Sequence, residues 1–167
     1  NFLRELYLRN QDWDALEGLF GERGDWEGLT RLFGGAAGEA ADAGTKVVLY
    51  RRMARICQSE LDNPLAAVEC WERILEEDPE NVDATNVLGP HYESVENWDG
   101  LVAVLEARLR AGVDDEIELL SRIAEVCSAH REDPGSAFIW RAKAFEKGPE
   151  KAELLDALND AAKAADA

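Results

Sequence analysis

The feature that most constrains this chain is a step of 35 residues that recurs along its middle. A large apolar residue followed by a small one occurs at Met53-Ala54, Leu88-Gly89 and Ile123-Ala124. Four residues after each large position, the same step is kept by Cys57, Tyr92 and Cys127. Periods of about 20 to 50 residues are typical of stacked supersecondary units, so we expect an array of similar units.

Helix signals recur between these positions, whereas alternating β-branched runs bounded by turn residues are absent. Asn63-Pro64 and Asp133-Pro134 each place an N-cap side chain before a first-turn proline. The pattern predicts about ten helices, at roughly 2–9, 13–22, 26–40, 46–61, 64–77, 82–95, 98–111, 116–131, 134–147 and 150–165. Connections of about two to five residues predict that successive helices pack antiparallel.

The repeat also predicts how the chain is organised, namely as one helical-repeat domain over residues 1–167. Regular repeats are expected at 46–81, 82–116 and 117–151, followed by a terminal capping helix at 152–167. Residues 1–45 are expected to form compressed, atypical repeats, in which 13–22 serves both as a second and as a first helix. Because the chain opens at Asn1 within an amphipathic pattern, we expect a fragment of a larger protein.

Two stretches carry a resemblance to a known repeat family. In NVDATNVLGPHYESVENWDGLVAVLEARL, the hallmark positions are filled by Leu88, Gly89, Tyr92, Trp98 and Leu105. In AAVECWERILEEDPEN, Ala67 and Trp71 are followed by a closing Asp78-Pro79. Over about residues 46–151 the chain resembles the tetratricopeptide repeat family. The resemblance implies an all-α fold, a right-handed α-α superhelix (a TPR-like solenoid) of about ten antiparallel helices that binds proteins.

Charge and composition exclude several classes of protein. The net charge of −17, from 35 acidic and 18 basic residues, repels phosphate backbones and argues against direct nucleic-acid binding. No run approaches about eighteen apolar residues, so we expect no membrane span. The three cysteines lie in apolar surroundings without a Cys-x-x-Cys pair, which indicates free thiols in a reducing compartment such as the cytoplasm.

Candidate catalytic and metal-ligating residues are sparse. Cys127 and His130 would share one helix face, but a closed zinc site needs about four ligands. No glycine-rich phosphate loop or nucleophile elbow is present. We therefore expect no enzyme activity, no metal and no cofactor.

A basic cluster offers a candidate partner-binding site. Arg51 and Arg55, in YRRMARI, are four residues apart and so share a helix face that lies away from the inward Tyr50 stripe. In the resembling family, the exposed side of the first helices lines a concave groove, and some members hold a peptide's terminal carboxylate there. Arg51 and Arg55 match positions where that clamp has a Lys and an Asn.

Further residues of this candidate site lie in the later repeats. Arg122 matches a basic clamp position and Asn86 is a hydrogen-bonding neighbour, whereas Val87 and Glu118 depart from the clamp pattern. Guanidinium groups suit two-point contacts with carboxylates. The alternative is that these arginines form ion pairs with Glu and Asp on adjacent helices.

These observations together predict a protein–protein interaction scaffold that binds a peptide or an extended partner segment in a groove. The expected ligand carries an acidic or C-terminal carboxylate group. Two alternatives stay open at this point. One is a structural spacer or self-association domain within a larger multidomain protein, and the other is a half-repeat component of an RNA-processing assembly. The sequence does not indicate an oligomeric state.

Overall fold

The computed structural model describes residues 2–112 and 114–166, and within them the chain is helical and contains no strand. The ten helices of these residues are α1 (Phe2–Arg9), α2 (Trp13–Gly21), α3 (Trp26–Glu39), α4 (Ala43–Ser59), α5 (Pro64–Glu77), α6 (Val82–Ser94), α7 (Trp98–Ala111), α8 (Glu116–Ala129), α9 (Pro134–Lys147) and α10 (Ala152–Ala165). The all-α prediction is confirmed. Among the described helices, none combines the length and the apolar character needed to cross a membrane.

The chain divides into two compact units, Asn1–Pro79 and Glu80–Ala167, here called unit 1 and unit 2. Unit 1 contains α1 to α5 and unit 2 contains α6 to α10. The arrangement of all repeats as one domain stays a prediction.

Asx residues explain where most helices begin. Each of α2 to α9 starts after an Asp or Asn whose side chain accepts a hydrogen bond from the backbone N–H three residues later. These residues are Asp12, Asp25, Asp42, Asn63, Asn81, Asn97, Asp115 and Asp133. Caps of this kind stabilise a helix by about 1 kcal/mol each. The last helix is the exception, since α10 begins after Lys151 without a side-chain cap, at residue 152 rather than at about 150 as in the list of predicted helices.

The core of unit 1 lies between α2, α3 and α4. Leu16, Phe33 and Leu49 are fully buried there, and the ring of Trp13 meets Phe33 edge to face at 5.9 Å. Towards α5, the core changes to small side chains, with Ala54, Cys57, Ala67 and Cys70 forming one buried cluster. Small residues on both helices let α4 and α5 approach closely.

Unit 2 buries an equivalent set of positions between α7, α8 and α9. Ile123 and Cys127 of α8 are fully buried, and they pack with Leu101 of α7 and Ala137 of α9.

In α6, Pro90 lies inside the helix, which continues to Ser94.

The turns of the α4/α5 and α8/α9 hairpins have the same backbone conformation, two repeats apart. Asp62 and Glu132 take positive φ angles of 47° and 50°. The next residue in each turn donates its N–H to the carbonyl of the buried cysteine, at 2.8 Å for Asn63 and 3.0 Å for Asp133. The 35-residue pattern therefore marks equivalent places in helical hairpins, as predicted.

Candidate functional site

The predicted basic cluster lies on the exposed side of α4 in unit 1. There it lines a pocket of 480 Å³, which we call the α4 arginine pocket. The α4 helix contributes three arginines and two valines to this pocket, and α2 contributes two carboxylates: Arg51, Arg52, Arg55, Val47, Val48, Asp14 and Glu17.

Two of the three arginines share one carboxylate. Arg52 Nη1 donates to Glu17 Oε1 at 2.7 Å and to Asp14 Oδ1 at 2.8 Å, and Arg55 Nη2 donates to the other oxygen of Glu17. Burial alone would lower the pKa of Arg52, but the hydrogen bonds to Glu17 and Asp14 raise it above its ordinary value. The ion pairing that the sequence left open as an alternative is therefore present at Arg55, and its neighbour Arg52 takes part in the same network.

Exposure distinguishes the members of this network. The side chain of Glu17 is 17% exposed and that of Arg52 is 24% exposed, so this pair forms a fixed wall of the pocket. The side chain of Arg55 is 62% exposed, and Arg51 is also exposed at the edge of the pocket. The pocket thus has two exposed arginine residues, Arg51 and Arg55, beside Val48, an apolar residue that is 43% exposed.

The other two predicted site residues lie in unit 2. Arg122 Nη1 donates to Glu125 Oε2 at 2.9 Å, and its Nη2 donates to Glu93. The hydrogen bond to Glu125 is the main reason that the pKa of Arg122 is raised. Asn86 accepts a hydrogen bond from Arg108, a residue that was not among the predicted site residues.

Arg108 connects Asn86 to the pocket that Arg122 lines. It binds Asp114 through two contacts, Nε to Oδ2 at 2.6 Å and Nη2 to Oδ1 at 2.8 Å, and this lowers the pKa of Asp114. The pocket has a volume of 540 Å³, and its charged lining consists of Arg108, Arg122, Arg141, Asp114, Asp115, Glu118 and Glu125. Because carboxylates outnumber guanidinium groups here, this pocket favours an anionic ligand less than the α4 arginine pocket does.

Cysteine and histidine side chains show no catalytic arrangement. All three cysteines are buried and free, and burial raises the pKa of Cys70 to about 12, so its nucleophilic thiolate is scarce at neutral pH. The His130 ring stacks on Trp98 with centroids 3.8 Å apart. Within residues 2–112 and 114–166, no group of His, Cys, Asp or Glu is placed to hold a metal ion.

Comparisons with known proteins give only distant structural similarity. No family model and no curated protein matches the chain. A crystal structure of MamA shares 13% identity at a TM-score of 0.44, covering 86% of this chain and 81% of that one. A second MamA crystal structure shares 12% identity at a TM-score of 0.45, and the match covers 92% of this chain and 81% of that one. A structure from a functional characterization of Pseudomonas aeruginosa pilF shares 16% identity at a TM-score of 0.41, and the match covers 92% of this chain and 68% of that one.

The hairpins are tetratricopeptide-like. The α4/α5 and α8/α9 hairpins repeat the same turn and bury small residues at equivalent positions.

Proposed function

We propose that this chain is a protein-interaction module that binds an acidic segment of a partner protein in the α4 arginine pocket. The observation that carries the proposal is the convergence of three arginines and two valines around one pocket of a chain whose net charge is −17. A local excess of guanidinium groups in an acidic protein is suited to attract and orient a carboxylate.

The geometry indicates how such a segment would bind. A carboxylate of the ligand contacts the exposed guanidinium groups of Arg55 and Arg51, which offer paired N–H donors. A neighbouring apolar side chain of the ligand contacts Val47 and Val48. Arg52 remains bound to Asp14 and Glu17 and holds the wall of the pocket in place.

Glu17 sets the strength of this interaction. It already accepts a hydrogen bond from Arg55, so a ligand carboxylate competes with it for part of the positive charge. We therefore expect a modest affinity that falls as ionic strength rises, because exposed charges are screened within about 10 Å at 0.1 M salt.

Arg122 and Asn86 extend the proposal to unit 2. Because carboxylates surround Arg122 in the unit 2 pocket, a partner segment that binds there would donate hydrogen bonds to these carboxylates and place an acidic group at Arg122.

The experiment that tests the proposal uses a labelled, aspartate-rich peptide of about ten residues with two valines, followed by fluorescence anisotropy. Replacing both exposed arginines, Arg51→Ala with Arg55→Ala, should weaken binding by about tenfold, because charge-assisted hydrogen bonds are lost. Arg73→Ala is the matched control, since Arg73 is 61% exposed on α5 and pairs with Glu76 outside the pocket. Repeating the titration with a C-terminally amidated peptide tests whether a terminal carboxylate is required.

The control decides how the result is interpreted. Unchanged affinity in the double variant, or an equal loss with Arg73→Ala, would remove the α4 arginine pocket as the binding site. Circular dichroism of each variant confirms that the helices are retained.

A second candidate function is self-association, and exposed apolar side chains on α1 favour it. Phe2 is 75% exposed, Leu3 48% and Leu6 38%. A helix with such a face is a candidate for contact with another chain. Light scattering across a concentration series tests this function, which predicts a dimer that Phe2→Ser with Leu6→Ser dissociates.

A further inference from the structure

A second cavity of unit 1 shares no lining residue with the α4 arginine pocket, and its lining residues come mainly from α1, α2 and α3. It has a volume of 750 Å³, and we call it the α1–α3 groove. Its apolar floor includes Trp13, Phe20 and Leu32, all half-buried against the core of the unit. Its rim carries Arg4, Arg9 and Arg31.

The rim arginines differ from those of α4 in their partners. Among the described residues, Arg4, Arg9 and Arg31 form no ion pair with a carboxylate. The Nε of Arg4 is in addition buried without a hydrogen-bond acceptor, which is an unfavourable state for a polar group.

Two carboxylates also line the groove, and they do not balance these arginines. Asp25 uses its Oδ1 to accept the Gly28 N–H at 3.0 Å as the N-cap of α3, and Glu39 lies at the other end of that helix. The groove therefore keeps a positive rim above an apolar floor, in a chain whose net charge is −17.

The wall formed by α3 gives the groove its length. Lining residues extend along this wall from Asp25 to Ala40, a rise of about 22 Å at about 1.5 Å per residue. Gly35 faces the groove, and a Cβ built on it would meet no atom within 4 Å. A trough about four helical turns long, with an apolar floor and a glycine in its wall, has room for a helix.

We propose that the α1–α3 groove binds an amphipathic acidic helix of a partner protein. The apolar stripe of this helix packs on Trp13, Phe20 and Leu32, in the helix-in-groove mode that uses anchors at i, i+3, i+4 and i+7. Its flanking Asp and Glu side chains pair with Arg4, Arg9 and Arg31. This site is independent of the α4 arginine pocket.

The test uses a fluorescein-labelled peptide of about 18 residues, with leucines at helical spacing and glutamates on both flanks, measured by anisotropy. Gly35→Phe fills the groove and should weaken binding by about tenfold or more. Gly38→Phe is the matched control: it lies on the same exposed part of α3, also has open space around its Cβ position, and does not line the groove. We expect this control to change the affinity by less than about twofold.

A charge series tests the rim. Arg4→Glu with Arg31→Glu should also weaken binding by about tenfold, and a peptide with lysines in place of the glutamates should not bind. Arg51→Ala with Arg55→Ala should leave binding of the helical peptide unchanged. This separates failure of the groove from failure of the α4 arginine pocket.

Several outcomes would overturn the proposal. Equal binding of a scrambled peptide would show that no amphipathic helix is recognised, and an equal loss in Gly38→Phe would place binding elsewhere. A concentration-dependent dimer that Gly35→Phe dissociates would show that a second copy of this chain occupies the groove. Circular dichroism and thermal melting of each variant verify that the fold is intact.

Discussion

The α4/α5 hairpin of unit 1 and the α8/α9 hairpin of unit 2 are closed by the same ion pair with its charges exchanged. In unit 1, Lys46 Nζ lies 2.8 Å from Glu77 Oε1. At the equivalent positions of unit 2, Lys147 Nζ lies 2.9 Å from Glu116 Oε1, so the acid is now on the first helix and the base on the second. The hairpin is therefore specified by its turn and its small buried residues, whereas the sign of its surface charges is free to vary.

The same comparison explains why the α4 arginine pocket differs from the pocket of unit 2 that Arg122 lines. Arg52 and Arg122 occupy equivalent positions, but Arg51 and Arg55 correspond to Ser121 and Glu125. Arg52 bonds carboxylates of α2, and Arg122 bonds Glu93 of α6 as well as Glu125 of its own helix. Equivalent backbone places thus carry a positive surface in unit 1 and a largely neutralised one in unit 2.

The largest expected effect comes from the equivalent core positions Ile123 and Met53. Ile123 is fully buried in unit 2, so Ile123→Ala should lower the free energy of unfolding by about 2–5 kcal/mol. Met53 is only partly buried, and Met53→Ala should cost clearly less. Urea unfolding followed by circular dichroism measures both, and equal losses would mean that the two positions are packed alike.

A smaller effect is expected at the turns, because Asp62 and Glu132 both take a left-handed conformation that costs a non-glycine residue about 1–2 kcal/mol. Replacing either residue with glycine removes this cost, but the greater freedom of glycine in the unfolded chain offsets part of the gain. Asp62→Gly and Glu132→Gly should therefore each raise the free energy of unfolding by about 0.5–1 kcal/mol. Thermal melting checks this. A gain in one hairpin and a loss in the other would contradict the equivalence of the turns.

Much of the fold could be predicted from the sequence because the signals are local. Asn63-Pro64 and Asp133-Pro134 mark the starts of α5 and α9 at the predicted residues. The helix pattern placed the start of α10 at about residue 150, two residues too early, because Lys151 provides no side-chain cap to mark the start.

The pockets were less predictable because their partners are distant in sequence. Glu17 lies 35 residues from Arg52, and Arg108 lies 22 residues from Asn86. Helix periodicity places each arginine on a face, but only the packed helices bring a particular carboxylate to it. The α1–α3 groove was missed for the same reason, since its floor and rim come from three separate helices.

The next smaller effect is a pH dependence at the cap of the second helix of each hairpin, where α9 has an aspartate and α5 an asparagine. Hydrogen bonds from the Ser136 side chain and backbone lower the pKa of Asp133 below its ordinary value of 3.8. Its carboxylate therefore adds stability above that value, and this contribution is lost as the pH falls through the lower pKa of the folded state.

Asn63 holds the equivalent cap position without a titrating group. Asp133→Asn should therefore reduce the acid sensitivity of the melting temperature, and Asn63→Asp should increase it. Melting curves from about pH 7 to about pH 3 measure the difference. Parallel curves for the wild type and both variants would refute a role for the cap charge.

The smallest effect is expected from exchanging the hairpin ion pair. Lys46→Glu alone places two carboxylates together and should lower the melting temperature slightly, since partly exposed pairs contribute little. Adding Glu77→Lys recreates the arrangement of unit 2 and should restore the original value. Failure of the second change to restore stability would show that the two hairpins do not tolerate charge exchange.

The most direct test of the account transfers the binding surface between units. In the Arg51→Ala, Arg55→Ala background, Ser121→Arg with Glu125→Arg places arginines at the equivalent positions of α8. If the shared positions specify the fold and the differing ones specify the ligand, anisotropy titration with the aspartate-rich peptide should recover at least half of the lost binding free energy. No recovery, with the helical content unchanged, would contradict that claim.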